Sequence, residues 1–146
     1  MTSEHSGRRA PRELVDAECS RRGRAAFIAG CRRLVAGDYN DTSLIVALAP
    51  EGSAKYFDGQ PHDDEYWFRV WGIRGLLWAW DDSATDAVVT GAADETWRVR
   101  EMAAKVVARH LVGDALPLMV GLRNDPVPRV RAAAERAVRL LSDAGT

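Results

Sequence analysis

The sequence predicts an all-α fold of stacked helical hairpins, and two observations support that prediction. Three blocks align without a gap at a spacing of 31 residues: DDEYWFRVWGIRGLL (63–77), DETWRVREMAAKVVA (94–108) and DPVPRVRAAAERAVR (125–139). Their apolar residues recur with the period of a helix, and no segment has the strict alternation of a β-strand. A repeat of this length is typical of solenoids, in which each unit buries its apolar face against the next.

The segments ahead of the second and third blocks supply the first helix of each hairpin. DSATDAVVTGAAD (82–94) aligns with GDALPLMVGLRND (113–125) at the same offset, and both are apolar at helical spacing. Ser83 and Asp114 are candidate N-caps, and Pro117 stands in the first turn, where a helix accepts proline. Each unit is therefore predicted to hold a short helix A, a turn carrying Asp, and a longer helix B.

The N-terminal part of the chain does not follow the repeat. Helices are predicted over 11–22 and 24–36, and a shorter one begins at Asn40 or Asp41 and ends before Pro50. The predicted boundaries are a disordered tail (1–10), N-terminal capping helices or a degenerate repeat (11–50), a divergent repeat 1 (51–81), repeat 2 (82–112), and repeat 3 with a C-terminal cap (113–146).

The aligned blocks resemble HEAT-like repeats of the short bacterial and bilin-lyase-like type. They share a helix ending at Asp, a turn, and then V-R-x-x-A with further small or aliphatic residues. The resemblance is good over 82–146, reasonable over 51–81 and poor over the first fifty residues. Repeat 1 is predicted to be distorted, because Gly59 and Pro61 interrupt its helix A.

The resemblance implies a right-handed superhelical α-solenoid in which an Asp and an Arg side chain of each repeat link successive repeats. In this chain the Asp lies six residues before the Arg in every copy. The ladder residues are then Asp63, Asp94 and Asp125 with Arg69, Arg100 and Arg131. The resemblance is specific for the fold and says little about function.

Composition and motif searches exclude several classes of function. The chain of 146 residues carries no signal-peptide-like run and no long apolar segment, so we expect a cytoplasmic protein without a membrane span. Cys19 and Cys31 fit no zinc spacing, and HDDE (62–65) fits helix capping better than a metal site. No nucleophile, zincin or phosphate-loop motif occurs. The sequence therefore predicts no enzyme activity, no cofactor and no metal.

The stretch YWFRVWGIRGLLWAW (66–80) holds four of the five tryptophans. On a helix, Phe68, Gly72 and Leu76 share the core face with their equivalents in the later copies. A second stripe carries Trp67, Trp71, Arg74 and Trp78. Its equivalents are Arg98, Met102, Lys105 and Arg109 in the second copy, and Arg129, Ala133, Arg136 and Leu140 in the third. Because this stripe does not keep its apolar character, it does not belong to the common core.

Two interpretations of that stripe stay open. The tryptophans could pack against the irregular N-terminal helices and fill the space left by glycines. Alternatively, they open onto the concave surface formed by the B helices. That surface would bind a partner through Trp67, Trp71, Arg74, Trp78, Arg98, Lys105, Arg109, Arg129 and Arg136. Aromatic rings beside arginines suit an acidic, phosphate-bearing or peptide partner.

The predicted function is a non-enzymatic scaffold or adaptor that binds a protein or peptide partner on this aromatic and basic face. The alternative is a nucleic-acid-binding protein, because WRVREMAAKVV (97–107) is similar to the tryptophan-plus-arginine helix of HEAT-like DNA alkylation-repair glycosylases. Glu101 and Glu135 are the acidic candidates near the stripe. A sequence pI of about 6.3 argues against avid non-specific nucleic-acid binding. A lyase-like activity rests on the repeat alone.

Overall fold

A computed structural model describes residues 8–145. The predicted tail therefore lies mostly outside the described residues, and its last three residues lead into the first helix without regular secondary structure. These residues form eight α-helices and no β-strand. The helices are α1 (Pro11–Arg22), α2 (Arg24–Val35), α3 (Thr42–Leu48), α4 (Tyr66–Gly75), α5 (Thr85–Ala92), α6 (Trp97–His110), α7 (Leu116–Leu122) and α8 (Pro128–Ala144). Short 3-10 turns at Asp82–Ala84 and Gly113–Ala115 lead into α5 and α7.

The helices stack in two layers, which confirms the predicted α-solenoid. Helices α4, α6 and α8 pack side by side in the layer of the B helices. In the layer of the A helices, α5 packs on α6 and α7 packs on α8, while α5 also contacts α2 and α7. At the N-terminal end, α1 packs on α2 and α3, and α3 packs on α4. The repeats thus share one continuous core that runs from α1 to α8.

The first hairpin is built differently from the predicted repeat 1. Between 51 and 62 the structure has a single 3-10 turn, Ala54–Phe57, where the sequence alignment placed helix A. Helix α2 packs on α4 instead, in the way that α5 packs on α6. The physical reason is that Gly59 adopts a positive φ of 79° and Pro61 follows two residues later, so no helix can continue there.

Two glycines allow α2 to approach α4 closely. A Cβ atom on Gly72 would lie 2.8 Å from the Cβ of Leu34, and one on Gly75 would lie 2.9 Å from the sulfur of Cys31. Neither position therefore accepts the alanine that the later copies carry at the equivalent of Gly72 without movement of α2. These glycines, which depart from the repeat pattern, are what fits the non-repeat helix onto the stack.

The predicted core positions of the B helices are buried. Phe68, Val99 and Val130 are at most 4% exposed, and the small residues one turn later are buried as well. In the last copy Val138 is only half-buried, since no helix of residues 8–145 lies beyond α8 to cover it. The shared positions fix the orientation of each B helix, and they thereby fix which side chains of the second stripe can reach solvent.

Candidate binding surface

The Asp and Arg side chains of successive copies pair across the stack. The Nε atom of Arg69 donates to Asp94 Oδ2 at 2.7 Å, and that of Arg100 donates to Asp125 Oδ2 at the same distance. In both pairs a second N–H donates to the other carboxylate oxygen, at 3.1 and 3.2 Å. The pairs are bidentate and largely buried, and the hydrogen bond from Arg100 holds the pKa of Asp125 below its ordinary value.

Each Asp also organises its own turn. Asp94 Oδ1 accepts from the backbone N–H of Thr96 at 2.8 Å, and Asp125 Oδ1 accepts from that of Val127 at 2.9 Å. The guanidinium groups of Arg100 and Arg131 donate to the carbonyl oxygens of the two aspartates, at 2.9 and 2.8 Å. The carboxylates are thus satisfied by structural partners, which supports a role in holding repeats together.

The ladder is incomplete at its first step. Asp63 is exposed, and it forms no ion pair with any other residue of the range 8–145. Arg69 Nη1, which makes no bond to a carboxylate of the described residues, donates to the hydroxyl of Tyr39 at 2.7 Å. Of the six predicted ladder residues, four form ion pairs between copies, Arg131 bonds to backbone within its own copy, and Asp63 stands apart.

Trp71 does not line the binding surface, and its inclusion in that surface is wrong. Its residue is 7% exposed, and its ring packs against the loop after α3, where a Cβ on Gly52 would lie 3.2 Å from the indole. Tyr56 contacts it edge-on, and Phe68 lies 5.8 Å away between ring centroids. The ring is therefore packed, but the segment 48–57 at and after the end of α3 covers it, rather than the N-terminal helices that the packing interpretation expected.

Arg74 also lies away from the predicted surface. Its side chain is half-buried, and its Nη2 donates to the carbonyl oxygen of Leu48, the last residue of α3, at 3.3 Å. Burial lowers the pKa of this guanidinium. Trp78 is half-buried and packs against the core. The middle of the first-copy stripe, Trp71 and Arg74, therefore faces the N-terminal part of the molecule.

Trp67 is the member of that stripe that reaches the second copy. The guanidinium carbon of Arg98 lies 5.0 Å from the centre of the Trp67 ring and 4.5 Å from that of Trp97. Arg129 lies 5.1 Å from the Trp97 ring. Tyr66 stacks on Trp67 at 5.4 Å between centroids. Cations and rings therefore alternate along one edge of the B helices, each contact contributing about 0.5–1 kcal/mol.

Trp97 is the residue that sequence reasoning missed. It is not among the predicted binding residues, because its equivalents are Tyr66 and Pro128 at the start of helix B. In the structure it is half-buried and contacts arginines from two copies. The alignment did contain a signal for this contact. Trp97 lies next to Arg98 and 32 residues before Arg129, and neighbouring copies of the repeat bring such positions together.

Glu101, one of the acidic candidates, is held in ion pairs. It is 7% exposed, and it accepts from Arg129 Nε at 3.0 Å and Nη2 at 3.3 Å. The ammonium of Lys105 lies 3.7 Å from the same carboxylate. Glu135, the other candidate, is exposed and lies 3.8 Å from Arg123. Neither carboxylate stands free in a cleft, as a general base would need to.

A groove lies between the C-terminal end of α4 and helices α6 and α8, and we call it the basic groove. Its volume is about 510 Å³. The lining residues are Leu77, Lys105, Ala108, Arg109, Ala133 and Arg136. Arg109 and Arg136 are exposed and form no ion pair within residues 8–145. The groove thus combines an apolar floor with three cations, two of which have no counter-charge in the described chain.

Two titratable side chains outside this surface, His110 and Cys31, are held in packed surroundings. His110 Nε2 donates to the Leu76 carbonyl at 2.8 Å and the ring stacks on Trp80, and burial lowers its pKa. Burial raises the pKa of the Cys31 thiol, which disfavours the thiolate. Within residues 8–145 no group of three or more His, Cys, Asp or Glu side chains is placed to hold a metal ion. In the same range no helix has the length and apolarity to cross a membrane.

Comparison with known proteins identifies the repeat. A family model described as HEAT repeats matches residues 61–139, which include α4 to α8 up to the last turns of α8. No curated protein and no solved structure gives a significant match. The family match covers more than half of the chain, and it spans the segments that the structure shows as stacked hairpins. The chain belongs to the HEAT repeat family.

Proposed function

We propose that this HEAT repeat protein is a non-enzymatic cytoplasmic scaffold that binds an acidic segment of a protein partner in the basic groove. The observation that carries the proposal is the pair of uncompensated arginines, Arg109 and Arg136, above the apolar floor of Leu77, Ala108 and Ala133. HEAT repeats commonly mediate protein interactions. The free thiols of Cys19 and Cys31 fit a reducing compartment.

The composition of the groove favours a peptide with both acidic and apolar side chains. Arginine is enriched at interfaces because its planar group makes bidentate bonds to carboxylates, while its stem covers apolar surface. The small residues Ala108 and Ala133 leave room in the floor for a partner's side chain. Lys105 is already near Glu101, at 3.7 Å, so it contributes less free positive charge than the two arginines.

Nucleic acid is the second candidate, supported by the same three cations. Two observations make it less favourable. The rings of Trp67 and Trp97 already face guanidinium groups of the chain itself, so they are not open platforms for stacking bases. Residues 38–95 carry 12 acidic and 3 basic side chains, which oppose the approach of a long polyanion to the first half of the stack.

Fluorescence anisotropy tests the proposal. The probes are a labelled peptide that contains Glu, Asp and Leu, its Gln, Asn and Leu counterpart, and a labelled single-stranded oligonucleotide. We expect the acidic peptide to bind and the neutral peptide not to bind. The Arg109→Gln/Arg136→Gln variant should bind the acidic peptide about tenfold more weakly, which corresponds to about 1.4 kcal/mol.

The matched control is Arg12→Gln/Arg33→Gln, which removes the same charge from exposed positions on α1 and α2. An equal loss of affinity in this control would mean that net charge, rather than the groove, attracts the peptide. Tighter binding of the oligonucleotide, with a steep loss between about 50 and about 300 mM salt, would replace the proposal with the nucleic-acid reading.

A further inference from the structure

A second cavity, of about 320 Å³, lies at the N-terminal end of the stack, and we call it the Arg74 pocket. It opens between the start of α1, the loop that follows α3, and α4. Its lining consists of Arg8, Arg9, Pro11, Leu14, Leu48, Ala49, Pro50, Glu51, Gly52 and Arg74. It shares no residue with the basic groove.

The charge in this pocket is unbalanced. Arg74 is half-buried, and within residues 8–145 its one polar contact is the Leu48 carbonyl oxygen at 3.3 Å. Arg8 pairs with Glu51 at 2.6 Å in an exposed position, and among residues 8–145 Glu51 is the one acidic residue in the lining. Within this part of the chain, three arginines therefore face a single carboxylate, and that carboxylate already pairs with Arg8.

The burial of Arg74 without a carboxylate is unfavourable. A cation that loses water needs an anion or several acceptors to offset the loss. A single carbonyl contact uses one of the five N–H donors of the guanidinium and leaves the rest of the fork available. The pocket side of Arg74 thus offers the donor geometry that binds carboxylate or phosphate oxygens in pairs.

Part of the pocket lining is an apolar wall. It consists of Leu14 of α1, Leu48 at the end of α3, and the prolines at 11 and 50. The cavity volume is at the lower end of the range for small-molecule sites, about 300–1,000 Å³. A ligand that fits must therefore be small, and it must present an anionic head to Arg74 and an apolar body to the leucines.

We propose that the Arg74 pocket binds a small amphipathic anion, with a carboxylate or phosphate monoester head at Arg74 and a short apolar chain against Leu14 and Leu48. The head replaces water at the guanidinium and supplies the missing counter-charge. Arg9, an exposed residue of the lining, adds long-range attraction. The binding step involves no covalent change, and it does not depend on the function of the basic groove.

Isothermal titration calorimetry on the full chain tests this site with four probes: hexanoate, hexyl phosphate, hexylammonium and inorganic phosphate. We expect one binding site for hexanoate, hexyl phosphate or both, and the preferred head identifies which anion the pocket takes. Hexylammonium should not bind, because its head repels Arg74. Inorganic phosphate should bind at least tenfold more weakly than the better amphiphile, since it leaves the apolar wall uncovered.

The variant Arg74→Gln should weaken binding of the better amphiphile at least tenfold, whereas Arg109→Gln in the basic groove should leave it unchanged. Leu14→Ser is the second variant, and it should weaken the amphiphile but not inorganic phosphate; it also tests the site if Arg74→Gln fails to fold. Circular dichroism checks the fold of each variant.

Three results would overturn the proposal: no binding of either amphiphile, equal binding of inorganic phosphate, or full affinity in a folded Arg74→Gln variant. Failure of the peptide assay at the basic groove leaves these results unaffected, because the two sites have no residue in common.

Discussion

The same stripe of the B helix is covered in the first copy and open in the second and third. In α4 the stripe positions of Trp71 and Arg74 meet the segment 48–57, which buries the indole and leaves the guanidinium half-buried. The equivalents of Arg74 in α6 and α8 are Lys105 and Arg136, and both are exposed at the basic groove. The difference teaches that repeat register fixes the direction of a side chain, while the non-repeated chain around it decides whether it reaches solvent.

The largest expected effect is a difference in stability loss between a substitution of Trp71 and one of its equivalent in α6, Met102. Trp71→Ala should destabilise the protein by about 3–5 kcal/mol, because it removes a large buried ring and leaves a cavity against Gly52 and Tyr56. Met102→Ala should cost only about 1–2 kcal/mol, since Met102 is half-buried. Urea unfolding followed by far-UV circular dichroism measures both values. Equal values would mean that the segment 48–57 does not cover α4 as described.

The next prediction compares an aspartate that pairs with an arginine of the preceding copy, Asp125, with one that forms no such pair in the described chain, Asp63. Asp125→Asn should cost about 2 kcal/mol, because it breaks a largely buried bidentate pair with Arg100. Asp63→Asn should be within about 0.5 kcal/mol of the parent, since Asp63 is exposed and forms no ion pair in the range 8–145.

The pH dependence of stability provides the measurement for this pair. The folded pKa of Asp125 lies below its ordinary value of 3.8, so the unfolded chain takes up the proton first. Its contribution is therefore fully present above that value and is lost as the pH falls through the lower folded pKa. Thermal melts from about pH 6 to about pH 3 should show a smaller acid loss for Asp125→Asn than for Asp63→Asn. Identical acid slopes in the two variants would contradict the ladder's role in stability.

Sequence reasoning predicted the parts of this molecule that repeat. The register of Phe68, Val99 and Val130 follows from one 31-residue offset, because equivalent positions in a solenoid have equivalent neighbours. The pairing of Arg100 with Asp125 was implied by the resemblance to HEAT-like repeats. The basic groove could be predicted in part, since Lys105, Arg109 and Arg136 share the stripe that the structure leaves open.

The remainder depends on contacts that no repeat encodes. The packing of α2 on α4 joins segments about 40 residues apart, and α2 does not carry the V-R-x-x-A pattern. Gly72 and Gly75 indicated a close contact, because their lack of a side chain leaves space for Leu34 and Cys31. A glycine alone, however, does not show which segment packs against it. The burial of Trp71 could not be predicted from its position on the helix for the same reason. The segment that covers it is irregular and lies outside the repeat.

The smallest expected effect is a small gain of stability in the first copy and almost no change at the basic groove. Arg74→Met keeps the apolar stem and removes a half-buried charge that has no carboxylate partner among residues 8–145, so the unliganded protein should be about 1 kcal/mol more stable. Arg109→Met, at an exposed position in the basic groove, should change stability by less than about 0.5 kcal/mol and add apolar surface there. Urea midpoints measured in a buffer without carboxylate or phosphate test the pair. A loss of stability in Arg74→Met would mean that the bond to Leu48 stabilises the protein by more than the burial of the guanidinium destabilises it. The argument for an anion in that pocket would then lose its energetic basis.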